Sequence, residues 1–231
     1  MAAEPGSAAA GPPLDHPIFL ESIRRIRVLL GEVHLAPPEQ DVLERLVHSS
    51  GDPSLASALV FSPGACGAGL AALAAGAPIL TDTAMAAAAV APMARRTFAN
   101  PVHCLLDLAP DQAPAGQTRT ALGMVAALAR PFPQPPLVLI GSAPTALEAL
   151  LTALAATGQE PESERPRWWP ALVVGMPVGF VGVAESKRRL AASGLAQIRL
   201  EGSRGGAALV AAAVNALLRR AWLERAPGAR G

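Results

Sequence analysis

What this sequence lacks narrows its possibilities first. It holds no run of about 18 apolar residues free of charge or proline, the length that a spanning helix needs. The nearest approach, Ala84 to Ala91, follows Asp82 and is closed by Pro92 and Arg95. Two cysteines, Cys66 and Cys104, cannot build a disulfide framework, so a reducing cytosol is the expected compartment. A formal net charge of +1 provides no basic field for nucleic acid. No loop glycine is followed by the lysine and hydroxyl residue of a phosphate-binding loop, and GACGAG near residue 64 has the wrong spacing for a dinucleotide fingerprint. Ser142 does not sit in a nucleophile elbow. His103 and Cys104 are neighbours on an expected strand and point to opposite faces, which leaves no paired metal-ligand spacing. Nucleic acid, membrane, metal and nucleotide roles all lose support from these absences.

The 231 residues that remain to be explained are 51% hydrophobic, much of it alanine, and suffice for one α/β domain. The first residues, MAAEPGSAAAGPP, are small and proline-bearing, without the cationic start and apolar centre of a signal peptide. Residues 1–15 and 224–231 are therefore expected to be flexible tails around a domain at 16–223. Within it, amphipathic spacing predicts helices from Pro17 to Leu30 and from Glu39 to His48. Short apolar runs at ALVFSP, Pro78–Thr81, Val102–Leu106, Leu137–Ile140, Leu172–Val174 and Gln197–Leu200 predict strands. Helices are expected over Ala65–Ala75, behind Asp82 and Thr83, from Thr118 or Thr120 to Ala129, over Ala146–Ala156, over 184–193 and from GSRGG to about Trp222. A polar excursion spans Thr157 to Pro170. Alternation of strand and helix predicts α/β architecture, a three-layer αβα sandwich with a mainly parallel sheet in a single domain.

In such sheets ligands gather beyond the carboxyl ends of the strands, where loops meet helix N-termini. Four loops qualify: TDT at 81–83, GSAPT at 141–145, GMPVGFVG at 175–182 and GSRGG at 202–206. Each taken alone reads as an ordinary turn, but together they can form a wide mouth rich in backbone amides. His48 stands out because it ends an apolar helix face and precedes Ser49, Ser50 and Gly51, which invite a helix stop. There the helix dipole favours its protonated form, which suits a general acid near neutral pH. By residue chemistry alone, a helix cap is the more usual role for such a histidine, which leaves His48 a candidate only.

Six segments, in order, resemble the precorrin-8X methylmutase family: RLVHSSGD (45–52), FSP with AGLAALAAGAPILTDTAM (68–85), QTRTA (117–121), IGSAPTAL (140–147), GMPVGFVGVAESK (175–187) and GSRGGAALVAAAVNAL (202–217). The resemblance implies a homodimeric αβα isomerase of cobalamin biosynthesis. Its substrate is a multiply carboxylated, tetrapyrrole-derived macrocycle, with or without cobalt. A methyl group moves from ring carbon 11 to carbon 12, giving hydrogenobyrinate or its cobalt counterpart, and no cofactor is implied. By the same resemblance His48 is the general acid and Ser22 lies within reach of the ring or of His48. Arg119 clamps a carboxylate, Gly179 and Phe180 provide backbone approach and an apolar wall, and Lys187, Arg204, Gly205 and Gly206 support peripheral carboxylates. The chain departs from the family at Ala86–Ala89, where a bulkier stretch with a histidine and a glycine is common. A corrinoid-binding protein without catalysis would use the same pocket and could dispense with His48.

Overall fold

A computed structural model describes residues 14–157, 163 and 165–225. Residues 1–13 and 226–231 of the tails expected at 1–15 and 224–231, and positions 158–162 and 164 of the polar excursion, lie outside these residues. Asp15, placed in the tail by sequence, is bonded by both carboxylate oxygens to Arg219 at 2.6–2.9 Å.

The elements run α1 (Pro17–Leu30), α2 (Pro37–Ser50), β1 (Leu59–Phe61), α3 (Ala65–Ala74), β2 (Ile79–Thr81), α4 (Ala84–Arg96), β3 (Val102–Cys104), α5 (Arg119–Leu128), β4 (Leu137–Ile140), α6 (Pro144–Ala156), β5 (Leu172–Gly175), α7 (Val183–Ala192), β6 (Gln197–Leu200) and α8 (Ala207–Arg225). The strands form one sheet in the order β1-β6-β5-β4-β2-β3. All neighbours are parallel except the edge strand β1, which runs antiparallel to β6. β1 escapes the parallel rule because the chain reaches it from α2 through a short 3-10 turn at Pro53–Ser57, with no crossover from another strand.

Period-two alternation assigns the two faces of the sheet even though its central strands are wholly buried. Leu137, Leu139, Leu172, Val174, Ile198 and Leu200 point to a layer of α2, α3, α4 and α8. Leu80, Val138, Ile140 and Val173 point to α5, α6 and α7. Alanines at 211, 212, 213 and 216 bring α8 close to its neighbours, so this helix is buried along most of its length. α1 lies outside this layer, packed on α2 through Ile26, Leu43 and Val47.

The helix starts follow local chemistry. Thr83 caps α4 by accepting from the Ala86 amide at 3.3 Å, and Thr118 caps α5 through Ala121 at 3.2 Å. α2 stops two residues after His48 because Gly51 takes a left-handed turn, φ 68°, and returns its amide to the Val47 carbonyl. The alanine run at 86–89 continues α4 smoothly, with Ala86 and Val90 against the core.

Candidate active site

The helices after β2 and β6 cover one face of the sheet, and those after β4 and β5 cover the other. Because α5 after β3 also lies on the side of α6 and α7, neighbouring strands part company at three places, between β3 and β2, between β2 and β4 and between β5 and β6. Such switch points are where open α/β sheets bind ligands.

At the β2–β4 crevice the space is already filled by the chain itself. Asp82, fully buried at the end of β2, accepts from the amides of Gly141, Ser142 and Ala143 at 3.0, 2.6 and 2.8 Å through a single oxygen. Its other oxygen is buried without a partner. Burial pushes the Asp82 carboxyl above its ordinary range, and the three amides pull it back. The amides that sequence offered to a ligand at GSAPT are thus occupied by a side chain.

The β5–β6 crevice is open. A cavity of about 380 Å³ is lined by Ser50 and Asp52 from the end of α2, by Val178, Gly179 and Phe180, and by Ser203, Arg204 and Gly205. Two larger cavities, about 550 and 620 Å³, share Arg165, Trp169, Gly194 and Leu195 and lie at the amino ends of β5 and β6, on the opposite edge. The open crevice on the carboxyl edge is bounded by the end of α2, the helix that carries His48, while His48 itself is not among its lining residues.

His48 carries its Nδ1 2.7 Å from the Ser22 hydroxyl of α1. The Phe19 ring meets the imidazole edge-on at 5.2 Å between centroids. Burial, and secondarily the charge of Arg45, lower the His48 pKa below its ordinary 6.5. The dipole argument from sequence pointed the other way. It left out the partial burial of a ring that stays exposed overall and the like charge of Arg45 one turn back on α2, both of which lower the pKa. Both effects favour the neutral ring. When Ser22 donates to Nδ1, the proton of the neutral ring sits on Nε2, the nitrogen left for a substrate.

A sequence model of the precorrin-8X methylmutase family matches residues 17–220. The chain belongs to this family. It is 41% identical over 205 residues to a precorrin-8X methylmutase of Pseudomonas aeruginosa, covering 87% of this chain and 93% of that one. It is 37% identical to a cobalt-precorrin-8 methylmutase of Synechocystis sp., covering 92% and 99%. A solved precorrin-8X methyl mutase structure from Thermus thermophilus superposes with a TM-score of 0.76 at 37% identity, covering 88% of this chain and 95% of that one. Methylmutases are isomerases, and the single α/β domain agrees with that structure. No helix among the described residues is long and apolar enough to cross a membrane.

Within this methylmutase fold the expected site residues separate into two groups. Ser22 and His48 are in contact. Gly179, Phe180, Arg204 and Gly205 line the open crevice, and Phe180 is 95% exposed there. Arg119 reaches the same edge of the sheet by another route. It opens α5, whose cap Thr118 bonds Thr145 of the GSAPT turn at 2.7 Å. Its Nε donates to the Pro110 carbonyl at 2.8 Å and one terminal nitrogen to Leu106 at 3.4 Å. Among the described residues no hydrogen bond joins it to His48.

Other expectations need correction. Lys187 does not reach for a substrate carboxylate. It is buried, its ammonium donates to the carbonyls of Gly202 and Arg204 at 2.7 Å each, and burial lowers its pKa to about 8. The Gly206 amide donates to Met176 at 2.9 Å and that of Gly179 to Ser203 at 3.1 Å, so neither amide is free for an anion. Gly205 is required by packing, because a Cβ there would stand 1.9 Å from the Met176 carbonyl oxygen. Arg204 is partly committed as well, with Nη1 on Asp52 at 2.8 Å and on Ser54 at 2.7 Å.

Sequence reasoning missed three contributors: Asp82, seen only as a cap, and Phe19 and Arg45, not singled out at all. An acid directly after a buried parallel strand was a usable signal for Asp82. For the other two, the Arg45–His48 spacing on α2 was visible, but the approach of α1 was not.

Proposed function

We propose that this protein shifts a methyl group from carbon 11 to carbon 12 of a corrinoid precursor in cobalamin biosynthesis, precorrin-8X or its cobalt form, with His48 as the general acid. The observation that carries the assignment is the Ser22–His48 contact at 2.7 Å, with His48 on the helix whose end lines the open β5–β6 crevice through Ser50 and Asp52. A 1,5 shift is intramolecular, so it needs no nucleophile, and the conjugated ring carries the electrons. A proton delivered to the ring makes that system electron-poor and favours migration; the imidazole then takes a proton back, so the net reaction is an isomerisation. Arg119 and the remaining donors of Arg204 hold peripheral carboxylates. Phe180 supplies an apolar wall. The working unit is a homodimer, in keeping with the apolar side chains that α1 leaves at its surface, Ile18, Val28 and Leu29.

Anaerobic incubation with precorrin-8X, followed by visible spectroscopy, tests the assignment. The spectrum is expected to move to that of hydrogenobyrinate, and His48→Ala to slow conversion by about 10²- to 10⁴-fold while still binding pigment. Binding without turnover by the wild-type protein, with either the metal-free or the cobalt-containing substrate, would favour the non-catalytic carrier instead.

A further inference from the structure

The His48 imidazole is gripped from two sides, and the second grip leads to a residue with no assigned part in the reaction. Ser22 holds Nδ1, while Phe19 presents its ring at 89° to the imidazole. Phe19 in turn lies under the Arg45 guanidinium, 4.5 Å from its centroid, inside the roughly 6 Å range of a cation–π contact. Arg45 precedes His48 by three residues on α2, so the two share a helix face.

The charges on the surrounding elements are largely matched. Beside α1, Arg219 of α8 lies 5.6 Å from the Phe19 ring and is held by Asp15. Glu21 is bonded to Arg24 and Arg25, Glu44 to Arg27, Asp41 to Arg220, and Asp52 to Arg204. His16 caps the start of α1. α3 and the 3-10 turn after α2 carry no charged side chain. Among the described residues Arg45 has no carboxylate within ion-pair distance, only the more distant influence of Asp15. It is a half-buried cation whose placement serves a ring, and that ring touches His48.

We propose that Arg45 is a positioning residue for His48: through Phe19 it fixes the imidazole against Ser22, and as an unmatched like charge it keeps the imidazole neutral until a polycarboxylate fills the site. Substrate carboxylates then offset the Arg45 charge and the imidazole takes up the proton it delivers. The kinetic consequence rests on His48 being the general acid; the grip and the charge coupling do not.

The test is an NMR titration of the His48 ring in the full chain, assigned by the signal lost in His48→Ala, for wild type, Arg45→Lys and Arg45→Met. Arg45→Met is expected to raise the titration midpoint, and Arg45→Lys to keep it near that of wild type because the charge is retained. Arg45→Gln replaces the methionine variant if that one fails to fold. In turnover, Phe19→Leu is expected to lower kcat by up to about 10²-fold with little change in KM, the signature of a misplaced acid. An unchanged midpoint in the charge-free variant overturns the proposal. So does a rise in KM with kcat intact when Arg45→Met is assayed in the same way, which would make Arg45 a substrate contact. Normal turnover by His48→Ala would remove the catalytic assignment while leaving the titration result standing, so the two failures are distinguishable.

Discussion

At the scale of single residues, the site is a histidine whose environment works against its own protonation. Burial and Arg45 hold its pKa below 6.5 in the free protein, so the acid form is the minority species at neutral pH. The sign of the pH dependence follows. In the proposed mechanism the protonated ring is the reactive form, so kcat/KM is expected to fall as pH rises through that lowered pKa. The profile of kcat belongs to the complex, where substrate carboxylates raise the pKa, so its descending limb should lie at higher pH. Paired pH–rate profiles check this, and a rate that climbs with pH would make the neutral ring a base. Ser22→Ala removes a partner that orients the ring without carrying the proton. One hydrogen bond is worth about 0.5–1.5 kcal/mol, so a loss of roughly 2- to 13-fold in kcat is expected from steady-state assays. His48 was legible as a candidate, because a histidine closing an apolar helix face is conspicuous, and its proposed role came from the family resemblance. Its protonation preference was not legible, because that depends on α1, which only the tertiary structure brings alongside.

At the scale of elements, the loops after the strands hold one another before they hold any ligand. Asp82 ties the end of β2 to the turn after β4, and Lys187 ties the start of α7 to the loop after β6. Asp82→Ala leaves three amides without an acceptor, that of Gly141 buried and those of Ser142 and Ala143 partly so, and a buried orphan costs about 1–3 kcal/mol. A loss of several kcal/mol is expected in denaturant unfolding, and added acetate should restore part of it by filling the vacated cradle. A variant of unchanged stability would mean that water replaces the carboxylate without cost. Asp82→Asn keeps an acceptor oxygen and should be milder. The strands and helices of this layer were read correctly from alternation and turn residues, since those signals are local. The occupancy of the amides was not, because a glycine-rich turn looks the same in sequence whether a ligand or a neighbouring loop uses its donors. Lys187 shows the same limit: a lysine amid helix charges gives no sign that its end is buried.

At the scale of the whole molecule, the carboxyl edge of the sheet is one bonded network. Gly141 receives the Val178 amide, Gly179 donates to Ser203, Gly206 to Met176, and Arg204 reaches back to Asp52 beside α2. Ligand seated in the β5–β6 crevice therefore bears on α2, β5 and β6 at once, and its binding free energy should appear as stability of the entire domain. At a ligand concentration of 100 times Kd the gain is about 2.7 kcal/mol. For a domain of this size each kcal/mol moves Tm by about 2–4 °C, so a rise of roughly 5–11 °C is expected with hydrogenobyrinate in a thermal melt. His48→Ala should show the same rise, because proton delivery is not what holds the pigment. Gly205→Ala should start from a lower Tm and show a smaller rise, since relieving the clash with Met176 must move the loop that lines the crevice. If instead His48→Ala lost the rise while Gly205→Ala kept it, His48 would be a binding residue, and the crevice between β5 and β6 would not be where the macrocycle sits.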